Sequence, residues 1–192
     1  HRRGLGRRRG HLPTEVVAVS YHLSVPGAWL HTPTVHSTSD GGSFATLSTG
    51  LTGYGFAVKQ VSRSVAYQDT VRGIHYTTNG QEKLVSCVYG TIMDVVVDLH
   101  PDSPRFGQWH AEILDANRQM AIGPGLGHGY CVLSTSAVII YQLSTPYDPT
   151  AEREINPLDP ELNIPWLTDM SRIHLSPRDL NAPPLSSLRE VS

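Results

Sequence analysis

Residues 92–99 alternate with a period of two: Met93, Val95, Val97 and Leu99 face one way, and Ile92, Asp94, Val96 and Asp98 face the other. That spacing predicts a half-buried β-strand. Lys83 to Tyr89 reads as its neighbour, with Gly90-Thr91 as the tight connection of a hairpin. Further strands are expected at residues 34–37, 43–48, 56–62, 71–76, 108–114, 118–122, 128–133 and 137–143. Turn chemistry separates them at Asp40-Gly41-Gly42, Pro101-Asp102-Ser103-Pro104, Asp115-Ala116-Asn117 and Gly123-Pro124-Gly125. Many short strands with almost no amphipathic helix between them indicate an all-β fold, an antiparallel sandwich or barrel. After Thr145 the alternation stops and Pro, Asp, Asn and Leu take over. This stretch is expected to wrap the barrel, with Ser176 as an N-cap and Pro177 at N1 of a short helix, and Ala182-Pro183-Pro184-Leu185 ending the ordered part.

A chain of 192 residues supports one domain with a sizeable core. With 39% hydrophobic and 17% charged residues, 17 Gly and 14 Pro, it is folded and turn-rich. The net charge of −2 hides an asymmetry: Arg2, Arg3, Arg7, Arg8 and Arg9 crowd the first ten residues, leaving 10 Lys and Arg against 17 Asp and Glu elsewhere. A basic arm can bind phosphates, but no aromatics interleave with this one. Residues 1–19 are therefore read as a disordered extension and 20–192 as a single domain, with no nucleic-acid or membrane partner. Residues 11–30 give no unbroken apolar stretch or clear cleavage site, and no run approaches the ~18 apolar residues of a spanning helix. The expectation is a soluble, cytoplasmic protein. Cys87 and Cys131 sit in apolar, strand-like surroundings and read as buried thiols, not as a disulfide.

Ten histidines invite a metal reading. A His-x-His pair on one strand would place two ligands on one face, but His75 is followed two positions later by Thr77, and carboxylates at ligand spacing are missing near both His75 and His128. No metal is expected. A lone neutral imidazole, with an unperturbed pKa of ~6.5, is then most simply a general base. A base of that strength removes a carbon-bound proton only where a neighbouring carbonyl oxygen takes up the charge. Lys83, close to His75 in sequence and placed on a neighbouring strand, is a fixed cation for that oxygen. Inversion at carbon needs a donor on the opposite face, and Tyr141, on the same side of its strand as Ile139 and Leu143, is placed to be one from inside the barrel. A carboxylate that orients the imidazole is also called for; Asp179 is a candidate that spacing alone does not select.

From Arg72 onward the chain resembles the dTDP-4-dehydrorhamnose 3,5-epimerase family and its relatives that make antibiotic deoxysugars. The resemblance rests on Arg72-Gly73-Ile74-His75-Tyr76, Gln81-Glu82-Lys83-Leu84-Val85, Met93-Asp94-Val95-Val96-Val97-Asp98, Asp102-Ser103-Pro104-Arg105-Phe106-Gly107-Gln108-Trp109, Gly127-His128-Gly129, Asp159-Pro160-Glu161-Leu162 and Leu175-Ser176-Pro177-Arg178-Asp179. It covers about residues 28 to 185. It implies a cupin-type antiparallel jelly-roll barrel with a short C-terminal wrapping segment, a homodimer in which an N-terminal strand joins the partner's sheet, and catalysis without metal or organic cofactor. It also implies His75 as base, Asp179 as its carboxylate, Lys83 beside the enolate oxygen and Tyr141 as acid. Arg72 and His128 match substrate contacts, Gln60 and Phe44 match nucleotide-side positions, and Tyr147 is a candidate for stacking on the base.

The front third departs from the family pattern. The Asp-x-Arg-Gly-x-Phe segment, whose arginine helps hold the diphosphate, reads here as Ser39-Asp40-Gly41-Gly42-Ser43-Phe44. Losing such a charge-assisted contact, worth ~1.5 to 3 kcal/mol, weakens binding more than tenfold unless Arg63 or Lys59 substitutes. The function implied is epimerisation at C3 and/or C5 of a dTDP-4-keto-6-deoxyhexose. The competing readings are a sugar-nucleotide ketoisomerase on the same fold and a non-catalytic nucleotide-sugar-binding protein.

Overall fold

The computed structural model describes residues 15–16, 18–47 and 56–189. Among them run fourteen strands: β1 Glu15–Val16, β2 Val19–His22, β3 Ala28–Thr32, β4 Val35–Ser37, β5 Ser43–Ala45, β6 Gln60–Tyr67, β7 Val71–Thr77, β8 Lys83–Tyr89, β9 Ile92–Asp98, β10 Trp109–Leu114, β11 Gln119–Ile122, β12 Leu126–Val132, β13 Ser136–Leu143 and β14 Glu152–Glu154. A one-turn helix, α1 Pro177–Leu180, and a 3-10 turn, Leu185–Leu188, follow. The arginine-rich residues 1–14 lie outside the described residues, whereas Glu15–Val16 and Val19, also within the span read as an extension, pair as strands. Among the described residues no helix is long and apolar enough to cross a membrane.

Two antiparallel sheets, ordered β10-β9-β12-β7-β14 and β2-β3-β11-β8-β13-β6, close on each other as a cupin-type jelly-roll barrel. A small third sheet, β1-β4-β5, pairs with neither. Inward side chains of both large sheets, Val85, Met120 and Ile139 from one and Val96, Leu126 and Val132 from the other, fill the space between them. A second core lies on the outer face of the five-stranded sheet, where Ile155, Leu162, Ile164, Trp166 and Leu185 of the C-terminal segment cover Val71, Ile74, Val95, Val97 and Cys131. Hydrogen bonds fix that segment. The indole N–H of Trp166 donates to the Pro157 carbonyl at 2.9 Å, that of Trp109 to Leu162 at 2.8 Å, and the Leu185 amide to the Asp159 carboxylate at 2.6 Å.

Several expectations change. Residues 83–89 and 92–98 are strands but not a hairpin: β8 pairs with β11 and β13, and β9 with β10 and β12. Each is central in its own sheet with both edges occupied, and Gly90-Thr91 carries the chain across from one sheet to the other. Gly90 has φ +80, and a Cβ there would lie 2.2 Å from the Ser136 carbonyl oxygen, so only glycine fits. Nor is β9 half-buried. The C-terminal segment covers its second face, so every residue from Ile92 to Asp98 is buried. Order does not end at Leu185, which is 1% exposed and begins the final turn. The strands β1, β2, β3 and β14 have no counterpart among the expected ones. For β14 the reason is plain: Glu-Arg-Glu has no apolar alternation, and it is extended because the free edge of β7 accepts it, Glu154 opposite His75. Cys87 and Cys131 are free and buried in different cores, where burial pushes both thiols up to about 11.

Burying large apolar side chains of the C-terminal segment contributes roughly 1.5–3 kcal/mol each. Trp166→Ala should therefore cost about 3–5 kcal/mol of unfolding free energy in a urea titration. A loss below about 1 kcal/mol would mean that the segment is not part of the cooperative fold.

Candidate functional site

Arg72 and His75 lie three residues apart on β7, a spacing that sends side chains of a regular strand to opposite faces. Both nonetheless line one cavity of about 250 Å³ between the sheets. Tyr130 of β12 stands opposite Arg72 and His128 opposite His75, so β7 spends three steps where β12 spends two. This is a β-bulge, which bends its strand and re-aims a side chain. Gly73 permits it: φ is +125, and a Cβ would fall 2.5 Å from the Gly129 Cα. The Arg-Gly-x-His step is thus a device that turns a cation and an imidazole to the same side.

The His75 ring meets the carboxylate of Asp179, Nε2 to Oδ1, at 2.7 Å. Asp179 belongs to α1, capped as its sequence predicts: the Ser176 hydroxyl accepts from the Asp179 amide at 3.0 Å and donates to Asp179 Oδ2 at 2.9 Å. Arg178 fastens the same turn to β14 through Glu152 at 2.9 Å and Glu154 at 2.5 Å. Burial alone would push the Asp179 carboxyl up, but the hydrogen bond and charge of His75, the Ser176 hydroxyl and Arg178 outweigh it and hold the group below the usual carboxylate range. An ionised carboxylate only accepts, so Nε2 of His75 carries a proton, and in the neutral ring it is Nδ1 that holds the lone pair. That is the form a base requires.

A second imidazole–carboxylate pair stands beside the first. His128 Nε2 lies 2.7 Å from Asp94 Oδ1; His128 is 5% exposed and Asp94 fully buried, and the other Asp94 oxygen has no hydrogen-bond partner among the described residues. Both histidines therefore have carboxylates, contrary to the spacing argument, because strand pairing and the C-terminal segment bring together residues far apart in sequence. Among the described residues no three metal-ligating side chains gather at one point. Across the cavity, β8 and β13 present Lys83 and Tyr141 from the opposite sheet, so Lys83 faces His75 across the barrel instead of from an adjacent strand. Burial pulls the Lys83 ammonium below its ordinary pKa, against the charges of Glu152 and Asp94. Burial pushes the Tyr141 phenol well above its ordinary value, helped by Tyr130 and Asp94 and opposed by Arg72, so it keeps its proton at neutral pH. The Tyr141 ring stands edge-on to His128 at 6.2 Å between centroids.

Of the nine residues singled out from the sequence, His75, Lys83, Tyr141, Arg72, His128, Gln60 and Tyr147 line this cavity, and Asp179 stands behind His75. Gln60 accepts from the Tyr147 amide at 2.8 Å, which fixes the two at one side of the opening. Phe44 is elsewhere: it lies on β5 of the small sheet, 61% exposed. Arg63 does not replace the missing arginine here, because Ser62 and Ser64 on either side of it face the cavity and Arg63 is exposed on the other side of β6. Lys59 is likewise exposed and outside the lining. Ser62, Ser64, Gln81, Tyr130 and Glu152 also line the cavity and escaped the sequence argument. A signal existed for two partners: an aspartate inside the apolar run at 92–97 marks Asp94, and period two from His128 marks Tyr130.

The model of the dTDP-4-dehydrorhamnose 3,5-epimerase family matches residues 22–187. A dTDP-4-dehydro-6-deoxyglucose 3-epimerase of Streptomyces bikiniensis is 40% identical over 177 residues, 88% of this chain and 90% of the relative. A dTDP-4-dehydrorhamnose 3,5-epimerase of Mycobacterium tuberculosis is 38% identical over 176 residues, 87% of each. Among solved structures, a 4-keto-6-deoxy sugar epimerase from the novobiocin gene cluster of Streptomyces spheroides superposes with a TM-score of 0.86 at 36% identity, covering 95% of this chain and 94% of that one.

The lowered pKa of Asp179 has a measurable sign. Its stabilising contribution is fully present above the unfolded value of ~3.9 and is lost as pH falls through the lower folded value. In urea titrations the stability gap between the protein and Asp179→Asn should hold from about pH 7 to about pH 5 and shrink below about pH 4. A gap unchanged down to about pH 3 would contradict the assignment.

Proposed function

Because the chain belongs to the dTDP-4-dehydrorhamnose 3,5-epimerase family and is a carbohydrate epimerase, we propose that it inverts C3, C5 or both in a dTDP-linked 4-keto-6-deoxyhexose during deoxysugar biosynthesis. Both carbons flank the C4 ketone, so either carbanion shares one enolate oxygen. His75 Nδ1 removes the proton, and Asp179 stabilises the imidazolium that results. The electron pair moves to the C4 oxygen, where the Lys83 ammonium meets it. Tyr141 returns a proton to the carbon from the opposite face, and the configuration inverts. The observation that carries this reading is the pairing of a carboxylate-backed imidazole on one sheet with a protonated phenol on the facing sheet, both on one cavity.

The remaining contacts follow from the same cavity. Arg72 and His128 hold the sugar and its first phosphate, while Gln60 and Tyr147 stand on the nucleotide side. This arrangement needs neither metal nor organic cofactor for the proton transfers. We read the protein as cytoplasmic and as a homodimer, the second reading supported by the small β1-β4-β5 sheet, which among the described residues pairs with neither large sheet and leaves Phe44 exposed. The presence of His75, Lys83, Tyr141 and Asp179 together at one cavity favours turnover over silent binding.

Incubation with a dTDP-4-keto-6-deoxyhexose in deuterium oxide should introduce deuterium at C3, C5 or both, followed by NMR. His75→Ala should slow that exchange by about 10²- to 10⁴-fold. For Tyr141→Phe, exchange should outlast net inversion. No isotope at either carbon would overturn the reading, and normal inversion by the Tyr141 variant would remove its role as the acid.

A further inference from the structure

Tyr130 is 2% exposed, yet it lines the cavity. It sits on β12 two residues beyond His128 and crosses from the five-stranded sheet to β6 of the other, where its oxygen lies 3.4 Å from Ser64 Oγ. Ser64 Oγ accepts from Arg72 Nη1 at 2.7 Å. A guanidinium only donates, so the Ser64 hydroxyl proton is left free for the tyrosine. On its other side Tyr130 acts on Tyr141 as a polar neighbour that raises its pKa, and both rings stand against His128, at 6.5 and 6.2 Å between centroids. Tyr141, Tyr130 and Ser64 therefore line the cavity together, ending on the exposed Arg72 guanidinium.

Resting on the epimerase reading above, we propose that Tyr130 is a positioning residue for Tyr141, the middle member of a hydroxyl relay that restores the Tyr141 proton after each inversion. Once Tyr141 has given its proton to the sugar carbon, it is a phenolate in a site where burial disfavours that charge. The neighbouring His128 cannot supply the replacement through Nε2, which is turned to Asp94. Tyr130 passes its proton to the Tyr141 oxygen and takes one from Ser64, which takes one from water. No bond to carbon is involved, and the proton gained is matched by the one His75 releases to solvent. Arg72 lowers the cost of the transient phenolate by its charge.

The test compares deuterium entry into recovered substrate with net inversion, in the wild type, Tyr130→Phe, Tyr141→Phe and the double variant. Tyr130→Phe should leave His75-dependent exchange within about twofold and lower net inversion roughly tenfold, short of the 10²- to 10⁴-fold that a whole acid-base group supplies. In the Tyr141→Phe background the same change should cost nothing further, since residues acting as a unit are not additive. Ser64→Ala should shift the same ratio in the same direction by a smaller factor. Unchanged inversion in Tyr130→Phe, equal loss of exchange and inversion, or losses that multiply in the double variant would each overturn the relay. The wild-type exchange is read first: its absence would remove the epimerase reading itself, whereas its presence with a normal Tyr130→Phe ratio would remove the relay alone.

Discussion

A carboxylate delivered by the C-terminal segment, Asp179 at 2.7 Å from an imidazole 104 positions earlier, is the contact on which the rest of the site depends. Asp179 is 2% exposed, and a buried charge is tolerated only when it is hydrogen-bonded. Here the His75 ring, at Oδ1, and the Ser176 hydroxyl, at Oδ2, supply those bonds. The second core makes this possible. Trp166, Ile164 and Leu162 lay the segment across the outer face of the five-stranded sheet, Arg178 fastens it to β14, and one helical turn then aims the carboxylate at the back of His75.

The two sheets divide the chemistry between them. β7 and β12 carry His75 and His128, backed by Asp179 of α1 and Asp94 of β9, and β8 and β13 carry Lys83 and Tyr141. On the proposed epimerase reading, a flat ring held between the sheets has the His75 imidazole on one side and the Tyr141 phenol on the other, the arrangement that inversion at carbon demands. Their electrostatics differ in a useful way. The phenol is pushed up and keeps its proton, the carboxylate of Asp179 is held down and stays ionised, and the Lys83 ammonium is pulled down by burial against the opposing charges of Glu152 and Asp94.

Period two marked most strands of the two large sheets, because alternation is what a strand with one buried face requires. It failed where pairing, not patterning, decides. Glu152–Glu154 is extended because β7 has an open edge, and residues 83–89 and 92–98 sit in different sheets although a two-residue link joins them. The bulge at Gly73 was visible as a glycine inside a strand, a common sign of local irregularity, but its consequence, Arg72 and His75 on one face, needed the partner strand. Asp179 could be chosen only through family resemblance, since no local pattern links it to His75. Glu152 left no trace in the sequence, and Phe44, matched through that resemblance, lies away from the cavity.

The tautomer of His75 tests the central contact most directly. In ¹⁵N NMR of histidine-labelled protein, assigned with a His75→Asn control and recorded where the ring is neutral, the account predicts the proton on Nε2, toward Asp179, and a bare Nδ1. A proton on Nδ1 would contradict it, because the ring would then have no lone pair at Nδ1 with which to act as the base.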